Sequence, residues 1–513
     1  MMKIIPERTI MPPLGLITVA ALCPPQWEIR LIDRSFEDLR DADLLWADLV
    51  MVSAMHVQRE DAHRTLQRAR QLGRRTMIGG SYASTQPEIL LLLADHVVVG
   101  EPDEVFGEIA AGLENGSARA LYRITQKPDI SHTPTPRFDL LRMGKYSSMS
   151  IQFSRGCPFQ CEFCDIITIY GRRPRTKSAE HLMGELEALH HLGWRKPVFI
   201  VDDNFIGNHK LALALVQEME HWQSRNGYPF IFYTEASIDL ALRPELLNAM
   251  VRANFLYVFI GIETPVAESL KETKKFQNLR ADPLECIRFI QRRGLWVMGG
   301  FIVGFDNDGP DVFDQQINFI ERAAIPWAMT GFLQAPPTTP LFDRMNAEGR
   351  LIDDSTAISN FSLPNFRTRL PLPEMLNGLA HMLHELYDSR KFYQRALRSL
   401  DCWIARPAQR AHIPFFYRFR VVVNSAWRQG VMSTYRAEYW RFVVALMSRW
   451  GFNSRKIWMG FVLALSGHHF IPYAEDVIGE LEKERRRLTT AVPAQMTPAK
   501  EWTPESTSMV GRN

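Results

Sequence analysis

Short apolar runs alternate with helix-like segments over the first 125 residues. Each run holds five to seven residues and is bounded by glycine, proline or polar positions, as is typical of buried strands. The predicted strands are 27–33, 48–54, 75–80 and 96–100, and the predicted helices are 60–72 and 87–93. This alternation predicts an α/β fold, a doubly wound Rossmann-like domain over residues 1–125. We expect its first strand to be incomplete, because the opening apolar run breaks at Pro6.

A second alternating pattern follows a linker predicted at residues 126–145, where three prolines lie between positions 128 and 136. The predicted strands are 149–154, 197–203, 230–236, 256–263, 295–305 and 328–335, and the predicted helices are 179–192, 210–225, 244–253, 283–293 and 310–323. Six strands alternating with helices predict a partial (βα)6 TIM-like barrel over residues 146–365. Asp203, Glu235 and Glu263 fall at strand ends, where such barrels carry their chemistry.

Helical patterns rich in aromatic and basic residues follow, and they predict a helical C-terminal domain over residues 366–488. Residues 401–460 contain thirteen aromatic side chains and ten Arg or Lys, against two acidic residues. Arginine interleaved with tryptophan and tyrosine suits a membrane headgroup region or a pocket for an apolar substrate. The alternative is a helical domain whose aromatic residues form its own core. The Thr-, Pro- and Ser-rich end, 489–513, is predicted to be disordered.

Composition describes an ordinary globular protein, with 46% hydrophobic and 23% charged residues. A net charge of +3 gives no support for nucleic-acid binding, and we expect no nucleic-acid partner. Six cysteines in 513 residues do not suggest a disulfide framework. The N-terminal apolar run lacks the features of a signal peptide, and no stretch is long enough to cross a bilayer. We therefore expect a cytoplasmic protein, with peripheral contact at the inner face of the membrane as a further expectation.

Three cysteines, Cys157, Cys161 and Cys164, form a C-x3-C-x2-C motif with Phe163 directly before the last one. Three thiolates this close can hold three irons of a 4Fe–4S cluster and leave the fourth iron open to a small ligand. The alternative is structural zinc, which normally takes four ligands. The next cysteine is Cys286, more than a hundred residues away, so the motif favours the cluster.

The motif resembles that of the radical S-adenosylmethionine (radical SAM) superfamily. The segments PPLGL, QFSRGCPFQCEFC, VDDNFIGN, GIET and FIVGF resemble the cobalamin-binding branch of that superfamily, in particular its hopanoid C-2 methylase-like group with an extra C-terminal helical domain. The resemblance extends from about residue 11 to about residue 369. It implies three cofactors: a 4Fe–4S cluster held by the three cysteines, S-adenosylmethionine and cobalamin.

Cofactor contacts are expected at the strand ends of both domains. For S-adenosylmethionine the expected residues are Phe163, Asp202, Asp203, Asn204, Glu235, Glu263, Gly299, Gly300, Gly304 and Gln334. The triplet at 202–204 stands where the superfamily usually has Gly-Gly-Glu. For cobalamin the resemblance implies Pro13, Leu14, Ser53, His56, Gly79, Gly80, Ser81, Gly100 and Glu101, although plain turn chemistry also explains the glycines. The chain lacks the D-x-H-x-x-G cobalt-ligand motif, and we expect His56 to be structural.

The resemblance implies a methyltransferase that acts on an unactivated carbon of a lipid-like, hopanoid-type substrate, with an electron donor such as flavodoxin or ferredoxin. The alternatives are a radical rearrangement or cyclisation, or a non-catalytic iron–sulfur sensor. A sensor has little need for carboxylates at successive strand ends, so Glu235 and Glu263 argue against that class.

Overall fold

The computed structural model describes residues 5–352, 362–404 and 415–490. Its N-terminal region contains a parallel sheet of four strands with the order β1-β2-β3-β4. The elements are α1 (Leu14–Leu22), α2 (Asp41–Trp46), β1 (Leu49–Ser53), α3 (Arg59–Gln71), β2 (Arg75–Gly79), α4 (Ser81–Thr85), α5 (Pro87–Leu90), β3 (His96–Val99), α6 (Phe106–Asn115) and β4 (Leu121–Arg123). Strands β1 and β2 pair from Leu49 opposite Arg75 to Ser53 opposite Gly79.

Helices cover both faces of this sheet, because alternate strand residues point to opposite sides. On one face, Leu66 of α3 packs in the same cluster as Ile78 of β2. On the other face, Ile109 of α6 packs with Met77 and Val98. The predicted doubly wound α/β arrangement is thereby confirmed.

The strand predicted at residues 27–33 is wrong, since residues 28–33 are not paired with any strand. A cleft of about 1150 Å³ separates this segment from β1, and residues such as Ile32 and Val52 line it. An extended segment becomes a strand only when a neighbour accepts and donates its backbone hydrogen bonds. The cleft follows the outer edge of β1 as far as its carboxyl end, where Ser53 and Ala54 also line it. Of the opening strand, residues 1–4 lie outside the described residues, and Thr9 forms one isolated bridge with Tyr146.

The second region is built on a parallel sheet of six strands, with the order β12-β11-β10-β9-β8-β5. Its strands are β5 (Met149–Ile151), β6 (Ser154–Arg155), β7 (Arg175–Thr176), β8 (Val198–Ile200), β9 (Phe232–Glu235), β10 (Phe255–Glu263), β11 (Trp296–Val303) and β12 (Trp327–Phe332). Its helices are α7 (Ile166–Ile169), α8 (Ala179–His191), α9 (His209–Arg225), α10 (Pro244–Arg252), α11 (Ala267–Glu272), α12 (Pro283–Arg293), α13 (Val312–Ala323) and α14 (Pro340–Ala347). This is the predicted partial barrel. The strand predicted at 149–154 divides into β5 and β6, and β6 pairs antiparallel with β7.

In the described part of the remaining chain, five helices follow: α15 (Leu372–Tyr387), α16 (Ser389–Cys402), α17 (Phe415–Gly430), α18 (Arg436–Trp450) and α19 (Ser454–Thr490). They pack on the barrel, where Trp327 Nε1 donates to Ser466 Oγ at 2.7 Å and Trp403 Nε1 donates to Gly294 O at 2.8 Å. The predicted helical C-terminal region is confirmed. Its aromatic residues divide into two groups, because Trp403 and Tyr439 are buried whereas Phe416 is exposed. Within the described ranges, the helices include none that is both long and apolar enough to span a membrane.

The domain boundaries at 125, 145, 365 and 488 stay predictions. Apart from its first two residues, which end α19, the predicted disordered tail at 489–513 lies outside the described residues.

Candidate active site

The three motif cysteines lie in the loop that follows β6, at one end of the barrel. The loop begins with Gly156 at φ +95°, where a Cβ would lie 2.7 Å from Gly171 O. Only glycine fits this close approach. The backbone N–H of Cys157 donates to Gly171 O at 3.2 Å, which anchors the loop to the β6–β7 hairpin.

Cys161 is buried and the other two cysteines are partly buried, and burial raises the pKa of both Cys157 and Cys164. Thiolates in such a place need a nearby positive charge, which the irons of a cluster supply when it is bound. Two amides face the thiols: Gln277 Nε2 lies 3.4 Å from Cys161 Sγ and Asn204 Nδ2 lies 4.0 Å from Cys157 Sγ. In the part of the chain that the structure describes, no three His, Cys, Asp or Glu residues form a group suited to a single metal ion. Three thiols on one loop, with side-chain amides facing two of them, can each bind a different iron, so the residues fit a cluster.

The residues after β8 support this loop. Asp202 is buried and accepts hydrogen bonds from the Phe153 backbone N–H at 2.8 Å and from Ser154 Oγ at 2.6 Å. Both partners lie just before the cluster loop, so Asp202 holds the chain in place there, and its expected contact with S-adenosylmethionine stays a prediction. Burial raises the pKa of Asp202 to about 6 and, together with the Asp202 charge, that of Asp203 to about 7.

Glu235 ends β9 and lies beside the same two aspartates. Burial, followed by the charges of Asp203 and Asp202, raises the pKa of Glu235 to about 7. Among the described residues, neither Asp203 nor Glu235 forms an ion pair. Carboxylates with these surroundings can accept hydrogen bonds from an ammonium group and are further ionised by it.

Glu263 ends β10 in a strained conformation, with φ +63° at a non-glycine residue. A register shift between Gly261 and Glu263 marks a bulge, which Asn278 Nδ2 supports by donating to Gly261 O at 3.0 Å and to Ile262 O at 2.9 Å. The bulge turns the Glu263 carboxylate onto the ammonium of Lys275. A Cβ on Gly261 would lie 2.5 Å from Glu263 Oε1, so the ion pair also requires this glycine.

Lys275 is a candidate that the sequence reasoning missed. Its Nζ lies 5.7 Å from the centroid of the Phe163 ring, and the charges of Glu263 and Cys161 outweigh burial and raise its pKa. The signal available in the sequence was its position twelve residues after a strand-end carboxylate. Lys275 thus lies between the cluster loop and the end of β10, where it can bind an anionic group.

The remaining residues expected to contact S-adenosylmethionine have structural partners of their own. At Gly299 and Gly300 the space of a Cβ is filled by Phe301 and Phe259, each with a ring carbon 2.8 Å away. At Gly304 that space is filled by Met375 of α15, at 2.7 Å. Gln334 donates to Ser362 O and Leu363 O, while its own Oε1 is buried without a hydrogen-bond partner. Contacts of these four residues with the cofactor stay predictions.

On the N-terminal domain, the loops after β1 and β2 meet. Gly80 has φ +93° and would place a Cβ 2.8 Å from Ser53 Oγ, while the Tyr82 backbone N–H donates to Ala54 O at 3.1 Å. Gly79 and Ser81 flank Gly80 at the end of β2, so four of the residues expected to bind cobalamin lie together.

His56 packs edge-on against Tyr82 with ring centroids 5.3 Å apart, and its Nε2 lies 3.3 Å from Arg59 Nη1. The expectation that His56 is structural and does not ligate cobalt stays a prediction. Pro13 and Leu14 lie at the start of α1 and are partly exposed.

The loop after β3 faces the cluster loop. Gly100 has φ +92° and a Cβ there would lie 2.4 Å from Ile124 O. Arg155 Nη1, two residues before the first cysteine, donates to Glu101 Oε2 at 2.9 Å and to Asp103 Oδ2 at 2.8 Å. Arg175 Nη2 donates to the other oxygen of Glu101 at 2.7 Å. Glu101 therefore joins the two domains, and its expected contact with cobalamin stays a prediction.

Two of the short helices complete this junction, since α4 of the N-terminal domain lies against α7, which follows the last cysteine. The carboxyl ends of the N-terminal strands and the cluster loop thus face each other across one interface. A ligand held by the first and a ligand held by the second would be neighbours.

Three family models match consecutive parts of the chain. A B12 binding domain matches residues 7–110, the radical SAM superfamily matches residues 151–320, and a domain of unknown function (DUF4070) matches residues 339–483. The first two matches cover the two facing cofactor regions, and the third covers most of the C-terminal helices.

Two curated proteins are similar over nearly the whole chain. An uncharacterised methyltransferase from Synechocystis is 39% identical over 94% of this chain and 90% of its own length. The hopanoid C-2 methylase of Rhodopseudomonas palustris is 34% identical over 91% of this chain and 88% of its own length.

Solved structures share the fold at low sequence identity. The radical S-adenosylmethionine methyltransferase TsrM from Kitasatospora setae superposes with a TM-score of 0.60 at 15% identity, over 83% of this chain and all of that one. The cobalamin-dependent radical enzyme OxsB superposes with a TM-score of 0.55 at 14% identity, over 90% of this chain and 75% of that one. The chain therefore belongs to the cobalamin-dependent radical SAM methyltransferases, and its cofactors are a 4Fe–4S cluster, S-adenosylmethionine and cobalamin.

Proposed function

We propose that this methyltransferase transfers a methyl group to an unactivated carbon of a lipid-like, polycyclic substrate of the hopanoid type. The proposal is carried by the position of the two cofactor regions, which face each other at Arg155 and Glu101. It is supported by 34% identity to a hopanoid C-2 methylase over 91% of this chain. When bound, the cluster and S-adenosylmethionine supply a radical that abstracts hydrogen, and cobalamin supplies the methyl group.

The barrel interior supports an apolar substrate. Along β10, Val258, Ile260 and Ile262 are buried against the helices, so the alternate residues Tyr257 and Phe259 point into the barrel, where they remain partly accessible. Phe199 and Tyr233 stack at 4.6 Å on the neighbouring strands and face the same way. These four rings offer a hydrophobic lining below the strand-end carboxylates, which suits a fused-ring hydrocarbon.

The C-terminal helices close this space on one side. Tyr257 Oη lies 3.9 Å from Met459 Sδ of α19, and the Tyr257 ring packs edge-on against Trp327 at 5.6 Å. Helix α19 thereby reaches the inward side of β10. The helical domain would then shape the substrate pocket and exclude water from it.

Cys157, Cys161 and Cys164 would hold the cluster. Glu235 and Asp203 would accept hydrogen bonds from the methionyl amine of S-adenosylmethionine, because both are uncompensated acids beside the cluster loop.

Lys275 would bind the methionyl carboxylate, held in place by Glu263. The loops at Ser53, Gly80 and Gly100 would hold cobalamin. Arg155 and Glu101 would position the two cofactor regions relative to each other.

A small electron donor such as flavodoxin or ferredoxin would reduce the cluster. A lipid-like substrate resides in a bilayer, so the enzyme would work at the inner face of the cytoplasmic membrane.

Mass analysis of lipids tests this proposal. Cells that produce the protein should contain a polycyclic lipid heavier by one CH₂, and cells that produce Cys161→Ala should lack it. An unchanged lipid profile in a host that makes the candidate hopanoid would contradict the proposed substrate.

A further inference from the structure

Helix α17 has an apolar side that no other part of the described structure covers. Phe416, Phe419, Val423 and Trp427 are spaced three or four residues apart, which places them on one side of the helix. They are well exposed, with Phe416 at 82% and Trp427 at 59% of their maximal accessible area. The helix is anchored by its opposite side, where Val421, Ser425 and Gln429 are buried.

Helix α18 continues this apolar side. Trp440, Val444 and Met447 are exposed, with Val444 at 66%, whereas Tyr439, Phe442 and Leu446 are buried beneath them. Trp440 Nε1 donates to Gly430 O at 2.9 Å, so its ring links the end of α17 to α18. We call the seven exposed residues, Phe416, Phe419, Val423, Trp427, Trp440, Val444 and Met447, the α17–α18 face.

Exposed apolar surface of this size is unusual in a monomeric protein and marks a surface that contacts another molecule. Seven large apolar side chains on two adjacent helices exceed the scattered single residues found on most surfaces. The helices have 16 and 15 residues, too few to cross a bilayer, but an interfacial helix needs only one apolar side.

The charges around the face indicate which molecule it contacts. The two helices contain six arginines and a single acidic residue, Glu438, which is paired with Arg441. Among the described residues, Arg420, Arg428 and Arg436 form no ion pair. An apolar stripe of Phe and Trp flanked by arginines is the composition of helices that lie in an anionic lipid headgroup layer.

We propose that the α17–α18 face docks this enzyme onto an anionic lipid bilayer, with both helices parallel to the membrane plane. The inference rests on the proposed function in one respect: a lipid-like substrate explains why docking would serve the reaction. Aromatic and aliphatic side chains would enter the headgroup boundary, while arginines would contact lipid phosphates.

Two kinds of variant separate the apolar and the electrostatic contributions. The variant R420Q/R428Q/R436Q should lower the partition coefficient on anionic vesicles by roughly a hundredfold, about fivefold for each arginine. The variant F416S/F419S/W427S should remove the part of binding that survives high salt. Matched controls are R64Q/R119Q/R123Q and L92S, which change exposed residues of the N-terminal domain, Leu92 being 78% exposed.

The experiment is flotation of the full-length, cluster-reconstituted enzyme with phosphatidylcholine vesicles, with and without phosphatidylglycerol. We expect binding that requires phosphatidylglycerol and weakens at high salt without vanishing. The arginine variant should bind about a hundredfold more weakly at low salt, the aromatic variant should not bind at high salt, and the controls should bind like the unchanged enzyme. Substrate-free cleavage of S-adenosylmethionine should stay unchanged in all variants, which shows that they are folded.

Three results would overturn the docking proposal. The first is no binding of the enzyme to anionic vesicles at low salt. The second is binding by both face variants that equals that of the unchanged enzyme. The third is a dimer that forms through the α17–α18 face and does not bind vesicles. The last result would assign the face to contact between two copies of the chain. Failure of the proposed substrate is distinguishable, because it would leave vesicle binding intact while detergent-dispersed hopanoid remains unmethylated.

Discussion

The Arg155 guanidinium donates to the Glu101 carboxylate at 2.9 Å and thereby joins the cobalamin-binding region to the radical SAM barrel. Both side chains are nearly inaccessible, at 11% and 4%. A buried ion pair adds little net stability when it is intact, but removing one partner leaves an uncompensated charge. The pair is therefore suited to fix the relative position of the two regions.

We expect Arg155→Gln to lower methyl transfer much more than cleavage of S-adenosylmethionine. Cleavage needs only the barrel, whereas transfer needs both regions in place. The ratio of 5′-deoxyadenosine to methylated product measures this and should rise. The free energy of unfolding should fall by up to about 3–5 kcal/mol, because Asp103 loses its ion-pair partner, whereas Glu101 keeps Arg175.

Arg173→Gln is the matched control for this change, since Arg173 is an exposed arginine of the same hairpin. Its product ratio should equal that of the unchanged enzyme. A proportional loss of both products in Arg155→Gln would show that the pair supports the fold alone. Partial recovery by Arg155→Lys would support a positioning role.

Replacing any one motif cysteine by alanine should remove the cluster. The unchanged, anaerobically reconstituted protein should contain about four irons and four sulfides. Cys161→Ala should bind far less iron and should not cleave S-adenosylmethionine, as measured by iron analysis and by 5′-deoxyadenosine formation. Cys402→Ala serves as the control because Cys402 lies in the distant helix α16. Normal cleavage by Cys161→Ala would refute the cluster ligands.

Lys275→Met and Glu263→Gln should each weaken binding of S-adenosylmethionine while iron content stays normal. Each change removes one charge-assisted contact worth about 1.5–3 kcal/mol, which corresponds to roughly ten- to a hundredfold in affinity. Equilibrium dialysis of the cluster-loaded protein measures the effect. Lys274→Met is the control, because Lys274 is the exposed neighbour of Lys275. Loss of iron without a change in affinity would mean that the ion pair is structural.

The sequence predicts which residues end the barrel strands, but it does not predict the contacts between the N-terminal region and the barrel. Glu235 and Glu263 follow apolar runs, so a periodic pattern places them correctly at the end of β9 and β10. The contact of Arg155 with Glu101 joins positions 54 residues apart in different domains, and no local pattern encodes it. Lys275 follows a helix and a turn, where a lysine is usually a solvated surface residue.

The missed strand shows a second limit of local patterns. Residues 27–33 have the alternation of a strand, but the cleft beside β1 leaves them without a partner. Likewise, no local pattern shows that Phe301 and Phe259 occupy the space that a Cβ would take at Gly299 and Gly300. Both the pairing of residues 27–33 and the space beside the two glycines depend on tertiary packing, which a local sequence pattern does not encode.

The Glu235 carboxyl should make stability depend on pH. Burial raises its pKa from 4.5 to about 7, so the folded protein binds more protons than the unfolded chain between these values. The free energy of unfolding therefore falls as pH rises through this window, by at most about 1.4 kcal/mol per pH unit for one group.

Glu235→Gln should flatten this dependence. Melting temperatures between pH 5.5 and 7.5, measured without S-adenosylmethionine, test the effect. Added S-adenosylmethionine should also reduce the slope in the unchanged protein, because its cationic amine favours the ionised carboxylate. An identical pH dependence in Glu235→Gln would show that other groups, such as Asp203, dominate.

The most direct test of the central claim is the fate of a labelled methyl group. The reconstituted enzyme is supplied with S-adenosylmethionine carrying a CD₃ group, a reductant, cobalamin and a detergent-dispersed hopanoid, and the lipids are analysed by mass spectrometry. We expect a product with the deuterated methyl group on a ring carbon, formed only when cobalamin is present, while 5′-deoxyadenosine continues to form without it. A labelled product that forms equally well without cobalamin, or no labelled lipid despite full cofactor loading, would contradict the account.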